Sequence, residues 1–412
     1  MPELLYFCEL LSNIKQVSVS IDSQDASGHR QPTAVTLHPS RRALTVAFGT
    51  ETSHIILPTQ IDCPSKFPAP STSYRLPALQ TSIASLEPLT TSPPVPWDAS
   101  TLRSEVSIHC ATCATRLVPA QRIQKWKNLP SEAWADLMDL WHCHKPHDEK
   151  GHADDGSGKY ASVGRIAAEQ TVGLVDPMYF LLCKDDCESI DEPADGKKVI
   201  KVIRHSSKMD PTIPSFAYTA AIAFQSAGKN EAETVVCQGC GLPLGIVDAK
   251  ADGVRLMKWS LALGFEDRGE DSRDLESYTM LQWLSAQLLA LVNTTGQRKF
   301  LVRPGASILA QQHLDGSATR VEEVDEGVHI WVFNPSTVVT KTGKPTATRA
   351  MKVYYQVLTS KSTIESLGDI ESVYLPFAIY RTFAKLMEDG NSSLPRDLRI
   401  WGEWKAGWLE RF

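Results

Sequence analysis

Two Cys-x-x-Cys pairs carry the plainest chemistry in the sequence: Cys110-Ala111-Thr112-Cys113 and Cys237-Gln238-Gly239-Cys240. A two-residue spacing lets both thiolates of a pair face one ion at about 2.3 Å while N–H groups of the turn hydrogen-bond the sulfurs, and two such turns complete a tetrahedral site. The expected cofactor is therefore one structural zinc ion held by Cys110, Cys113, Cys237 and Cys240. Gly239 and Gly241 give the second turn its backbone freedom. The stretch between the pairs is far longer than the roughly 15–20 residues of a compact zinc ribbon, so the site requires long-range strand contact. Three alternatives stay open on spacing alone. The cysteines are unrelated buried thiols, or a redox pair, or Cys143, His144 or His147 takes the place of a later ligand or forms a second site with the first pair.

Cys143 stands between His142 and His144, an arrangement that can activate a thiolate nucleophile. It also follows the last turn of an expected helix that opens at Pro130-Ser131 and carries Trp134, Leu137, Met138 and Trp141 on one face. A helix carboxyl end disfavours a thiolate and welcomes a cation. Metal ligation, burial beside Trp141 and catalysis are thus the three roles for Cys143. Cys183 and Cys187 are more widely spaced in acidic surroundings and read as plain thiols, as do the isolated Cys8 and Cys63. No Gly-rich phosphate loop, Gly-x-Ser-x-Gly elbow or His-Glu-x-x-His helix is present in the sequence.

The elements that must position these residues are mostly strands. Each pair follows a β-rich run, Glu105–Ile108 or Glu233–Val236, so both are expected at strand-to-turn junctions. Short alternating runs fill Tyr6 to Ile61, and a Pro/Ser/Thr-rich connection spans Cys63 to Trp97. Further strands are expected at Met178 to Leu182, Lys198 to Ile203, Tyr218 to Phe224, Val254 to Leu263, Phe300 to Arg303, His329 to Phe333 and Met351 to Leu358. Helices are expected from about Asp274 to Val292 and around Tyr380 to Met387. Trp401, Trp404 and Trp408 have the spacing of one helical face, for packing or for a partner groove. The fold class is α+β with β dominant, built from antiparallel sheets and a few helices. Three regions are expected: 1–100, 101–270 with the knuckles, and 271–412.

With 412 residues and 42% hydrophobic content, the chain can bury a full core without metal. A net charge of −6 argues against a bulk polyanion partner, so no direct nucleic-acid binding is expected. The start lacks a basic region before its apolar stretch, and the greasiest segment, Leu284 to Val292, is too short to cross a bilayer. A soluble protein of the cytoplasm or nucleus, with nine reduced cysteines and no membrane partner, is the expectation.

At these same residues the chain resembles the HECT-like, ubiquitin-conjugating-enzyme-binding proteins, a eukaryotic ubiquitin ligase family. The resemblance runs through Cys110-x-x-Cys113, Leu129-Pro130-Ser131-x-x-Trp134, Trp141-His142-Cys143-His144, Cys237-x-x-Cys240-Gly241-x-x-Leu244-Gly245 and Trp404-Lys405-Ala406-Gly407-Trp408-Leu409. The second knuckle is also similar to those of β-tent domains, which pair two distant Cys-x-x-Cys turns. The resemblance implies binding of a ubiquitin-charged conjugating enzyme and transfer of ubiquitin to protein lysines, including the chain's own. It implies as partners the conjugating enzyme, ubiquitin and a protein substrate, with a cyclin and the polyadenylation endonuclease of mRNA 3′-end processing as candidates. One departure matters. No cysteine follows Cys240, so a HECT mechanism with a thioester near the carboxyl terminus has no carrier here. Cys143 is then the candidate catalytic thiol, with His142 or His144 as its base; otherwise the chain acts by orienting the charged enzyme. The competing expectations are a non-catalytic adaptor or chaperone of that endonuclease and, more distantly, a redox protein using Cys237 and Cys240.

Overall fold

The structure is a computed structural model that describes residues 3–25, 28–62, 69–79, 95–129, 166–188, 190–191, 234–249, 251–265, 275–305, 326–368 and 370–412. The expected helix after Pro130, the strands at Lys198 to Ile203 and Tyr218 to Phe224, and Cys63 lie outside these residues. Among the described residues strands dominate and four helices accompany them, so the fold is α+β with antiparallel sheets. Only two strand pairings among the described residues are parallel, Lys125–Asn128 with Val172–Val175 and Lys299–Gly305 with Glu371–Pro376. The described residues divide into two units. One comes from Met1–Pro96 and Tyr278–Phe412, the other from Trp97–Ile213 and Glu231–Ser277.

The first unit is organised by a large sheet in which Ile400–Trp401, Trp404–Glu410, Lys344–Leu358, Gly327–Lys341, Glu3–Leu11 and Gln16–Asp25 lie side by side. Glu3–Leu11 pairs with Gly327–Lys341 through Phe7↔Lys341 to Leu10↔Val338, so the expected first and third regions contribute to one sheet. Glu9, which interrupts the apolar run at the start of the chain, is buried in that sheet and joined to Lys352 at 2.8 Å. Strand alternation sorts the side chains by face. Val328, Ile330 and Val332 point inward, with Met351, Val353 and Tyr355 from the neighbouring strand. Helices α1 (Met280–Thr295) and α3 (Phe377–Ser392) cover this face with Leu284, Leu288, Tyr380, Phe383 and Met387. Short helices α2 (Lys361–Glu365) and α4 (Arg396–Arg399) complete the unit's helices. Val17, Val19 and Ile21 pack with Leu44, Val46 and Ile55, which belong to a separate three-stranded sheet, Ala34–Leu37, Ala43–Phe48 and Glu51–Ile56.

Two expectations are corrected here. Helix α1 starts at Met280 and not near Asp274, because Thr279 and Gln282 form a capping box that satisfies the free N–H groups of the first turn. The three tryptophans do not share a helix: Trp401 and Trp404 pair across a hairpin turned by Gly402 at φ 60°, and Trp404 and Trp408 lie on one face of a strand. Spacing of three and four is common to both geometries when a tight turn supplies the offset.

The second unit holds a seven-stranded sheet that places Tyr179–Leu182, Gly253–Met257, Pro243–Asp248 and Thr234–Cys237 in sequence, and a three-stranded sheet of Leu261–Phe265, Val106–Cys110 and Arg116–Val118. The expected strand from Val254 to Leu263 is broken by a buried 3₁₀ turn, Lys258–Ser260, that carries the chain from one sheet to the other. Lys258 is fully buried; its Nζ donates to the Trp97 carbonyl at 3.3 Å and lies 4.9 Å from the centre of the Phe180 ring. Burial drives its ammonium group down to about 7, against the pull of Asp176 and Asp98.

An unfolded lysine keeps its proton to about pH 10.5, so between these values the unfolded state binds more protons and this group makes stability rise with pH. The difference in unfolding free energy between wild type and Lys258→Met is expected to grow in the wild type's favour by roughly a few kcal/mol from about pH 7 to about pH 10. Urea titrations of both proteins at several pH values measure it. A difference independent of pH would show that Lys258 is charged in the folded protein.

Candidate metal centre

The two knuckles are built alike. Val106–Cys110 leads into the first, and within it the Ala114 N–H donates to the Cys110 carbonyl at 3.0 Å while the Cys110 N–H donates to the Thr115 carbonyl at 2.9 Å. Thr234–Cys237 leads into the second, where the Gly241 N–H donates to the Cys237 carbonyl at 2.8 Å and the Cys237 N–H to the Leu242 carbonyl at 2.9 Å. Both bends need a left-handed residue just after the second cysteine. Gly241 takes φ 71° at little steric cost, whereas Ala114 takes φ 57° against the preference of a side-chain-bearing residue.

Three connections bring the knuckles together. Leu261 is the register partner of Cys110, and the Ser260 carbonyl accepts from the Ala111 N–H at 3.0 Å, so the buried turn after the second hairpin fixes the first knuckle. Ile190 is the register partner of Cys237. Just before it in sequence, the Glu188 N–H donates to the Leu117 carbonyl at 2.6 Å, tying the first hairpin to the edge strand of the second.

The result is a cluster in which the four sulfurs all lie within 4.8 Å of one another. Cys110 Sγ is 3.7 Å from Cys240 Sγ, and Cys113 Sγ is 3.6 Å from Cys237 Sγ, so close contacts run between the knuckles. A tetrahedral ion with metal–sulfur bonds of about 2.3 Å would set its ligands about 3.8 Å apart, which these separations match. The first cysteine of each pair is buried and the second exposed.

Electrostatics points the same way. Burial pushes the Cys110 thiol far up, and the adjacent Cys237 and Cys240 add to the effect. Burial likewise raises Cys240 to about 11, with Cys237 contributing. Burial also opposes ionisation of Cys113, but hydrogen bonds with Thr115 and the facing sulfurs outweigh it and bring this thiol down to about 7; its Sγ is 3.1 Å from the Thr115 hydroxyl. Four thiols this close cannot all ionise unless a cation offsets their mutual repulsion, so the donor set fits a soft divalent metal.

The structure thus assembles Cys110, Cys113, Cys237 and Cys240, while Cys143, His142, His144 and His147 lie outside the described residues. Cys183 and Cys187 are half-buried outside the cluster, and the Cys187 thiol donates to the Cys183 carbonyl at 3.6 Å. Burial pushes the Cys8 thiol up to about 12. Thr115 and Ala114 are the contributors that the sequence reading missed. Ala114 had a signal, since it occupies the place that Gly241 fills after the other pair; Thr115 had none.

Gly239 and Gly241 separate two effects. A Cβ on Gly239 would collide with the Thr115 hydroxyl and press on Cys113 Sγ at 3.2 Å, whereas one on Gly241 would meet nothing within 4 Å and suffer only from φ. Gly239→Ala is therefore expected to lower stability by roughly 1–3 kcal/mol and Gly241→Ala by about 1 kcal/mol, while Ala114→Gly is neutral or stabilising by up to about 1 kcal/mol. Denaturant unfolding of the three variants checks this order.

In α1–α4 no helix is long and apolar enough to cross a membrane, a statement limited to the described residues. Sequence comparison finds two relatives. An uncharacterised protein of Saccharomyces cerevisiae is 23% identical over 311 residues, 75% of this chain and 70% of its own length. An uncharacterised protein of Schizosaccharomyces pombe is 21% identical over 371 residues, 84% of this chain and 90% of its own length. No solved structure matches the chain. The family described as HECT-like ubiquitin-conjugating enzyme (E2)-binding matches residues 9–406, a span that includes both knuckles and nearly all of both units. The chain belongs to the HECT-like ubiquitin-conjugating enzyme (E2)-binding family.

Proposed function

We propose that the protein is a ubiquitin-protein ligase of the cytoplasm or nucleus. It binds a ubiquitin-charged conjugating enzyme and promotes transfer of ubiquitin to lysines of a protein substrate and of itself. The observation that carries this reading is the family match across residues 9–406. Zinc is the proposed ion of the four-cysteine cluster, because a small soft cation with no geometric preference of its own suits four thiolates at tetrahedral spacing. A site with four protein ligands keeps no open position for a substrate, so the zinc supplies fold and not chemistry. Residues 241–412 contain no cysteine. Transfer then proceeds by orientation of the charged enzyme, or through Cys143 with His142 or His144 as base.

A closed thiol cluster equally suits a protein without its own chemistry, and this observation favours a second reading as a non-catalytic adaptor or chaperone of the polyadenylation endonuclease. Discharge of ubiquitin from a charged conjugating enzyme decides between them. The ligase reading expects purified protein to accelerate discharge well beyond free lysine with at least one of several conjugating enzymes; no acceleration with any of them removes it. Cys143→Ala that abolishes transfer with the fold intact assigns a thioester, whereas unchanged transfer assigns orientation.

Metal analysis is independent of activity. Purified protein is expected to hold a single zinc that strong chelators release with partial unfolding of the second unit, and each of Cys110→Ser, Cys113→Ser, Cys237→Ser and Cys240→Ser is expected to lose it. Retention of full zinc occupancy in any of the four would remove that residue from the ligand set.

A further inference from the structure

The large sheet of the first unit has a second face. Where Lys299–Gly305, Gly327–Lys341, Lys344–Leu358 and Trp404–Glu410 run side by side, some of the alternate residues are buried in two smaller clusters, Leu301 with Leu358 and Ile364, and Val339 with Ala350 and Leu394, while others form an aromatic cluster. Trp331 pairs with Tyr354 across two strands, Phe333 lies 5.5 Å from Trp331 and 5.3 Å from Tyr354 between ring centres, and Trp401 reaches over to 5.7 Å from Trp331 and 5.2 Å from Tyr354. These rings already touch one another, yet Phe333 is 47% exposed, Trp401 53% and the adjacent Ile400 66%. Tyr354 is buried, so the open part of the cluster is made by Phe333, Trp401 and Ile400. Large aromatic side chains fixed on paired strands lose little conformational freedom when a partner covers them, which is the composition and rigidity of a binding hot spot.

The charges beside the rings indicate what covers them. Lys299 Nζ lies 5.6 Å from the ring centres of both Trp331 and Trp404, and the Arg298 guanidinium donates to the Phe333 carbonyl at 3.4 Å. Among the described residues neither cation pairs with a carboxylate, whereas Lys352 nearby is neutralised by Glu9. A complementary partner brings apolar side chains to the rings and carboxylates to the two cations. Single-stranded nucleic acid also offers flat rings and negative charge. Two cations would neutralise only about two phosphates, however, and a chain of net charge −6 repels the rest of the strand.

We propose that this aromatic face is the docking surface for the ubiquitin-conjugating enzyme, which sets an apolar side chain among Trp331, Phe333 and Trp401 and acidic side chains against Arg298 and Lys299. The inference rests on the reading that the protein binds such an enzyme, and it adds the place and the chemistry of binding.

Calorimetric titration of the full chain with a panel of purified conjugating enzymes tests it, using wild type, Trp401→Ala, Phe333→Ala and the double charge reversal Arg298→Glu/Lys299→Glu. Because Trp401 and Phe333 are about half exposed, both alanine variants should stay folded, with only a modest fall in unfolding midpoint from the lost ring contacts. Each is expected to weaken binding at least about tenfold. The charge reversal is expected to weaken it further and to invert its response to salt, so that added salt improves binding where it weakens that of wild type. Folded variants that bind as wild type does would overturn the docking surface and leave enzyme binding standing elsewhere on the chain. Failure of wild type to bind any enzyme of the panel would overturn both. A uridine-rich single-stranded RNA that binds wild type but not Trp401→Ala, while enzyme binding is the same in both, would assign the face to nucleic acid and overturn the proposal.

Discussion

Four sulfur atoms must meet although the hairpins that carry them belong to different sheets. The second unit solves this with a single strand order: the chain leaves the second knuckle's hairpin, runs through Gly253–Met257, crosses the buried turn Lys258–Ser260 and enters Leu261–Phe265, the strand that pairs with Val106–Cys110. The register partner of Cys110 is therefore joined by a short covalent path to the hairpin that ends in Cys240. Burying the Lys258 side chain in this turn costs free energy because its ammonium loses water, a cost offset in part by the Trp97 carbonyl, the Phe180 ring and the charges of Asp176 and Asp98. That cost is borne at the connection that sets the distance between the knuckles.

The cluster itself opposes assembly until a cation arrives. Burial disfavours the charged forms of Cys110 and Cys240, and any thiolate formed raises the proton affinity of the others. The hydroxyl of Thr115 relieves only Cys113. Strand pairing places the sulfurs, and an ion bound among them would convert a repulsive group into an attractive one, which would link folding of this unit to metal affinity.

How much of this was legible in the sequence follows from the range of each interaction. The knuckles were legible because both the two-residue spacing and the preceding β-rich run are local, and the need for remote pairing followed from their separation. The partners in space were not: nothing local records that Leu261 faces Cys110 or that Thr115 serves Cys113. The large sheet was hidden for the same reason, since Phe7 and Lys341 carry no sign of each other. Trp401, Trp404 and Trp408 were misread as helical because a spacing of three and four fits a helix face, while Gly402 was the local sign of a hairpin. The start of α1 was available in Thr279 and Gln282, a capping signal that the apolar period of the following leucines obscured.

The division of labour between the two units follows from coordination and strand geometry. An ion held by all four cysteines would have no vacant position, so on the zinc reading proposed above the second unit's cluster gives shape and leaves bond making to other groups. In the first unit, period-two alternation assigns every second side chain to the core beneath α1 and α3, and the alternate side chains supply two smaller buried clusters, around Phe7 and around Leu301, together with an aromatic stretch. Ordinary surface strands place polar residues there. This sheet places Trp331, Phe333 and Trp404 around the buried Tyr354, with Trp401 against Trp331 and Tyr354. Aromatic residues on a half-exposed face lower solubility and raise the risk of edge association, so their presence there requires a benefit outside the fold. The docking proposed above would use these exposed rings together with Arg298 and Lys299, which have no carboxylate partner among the described residues.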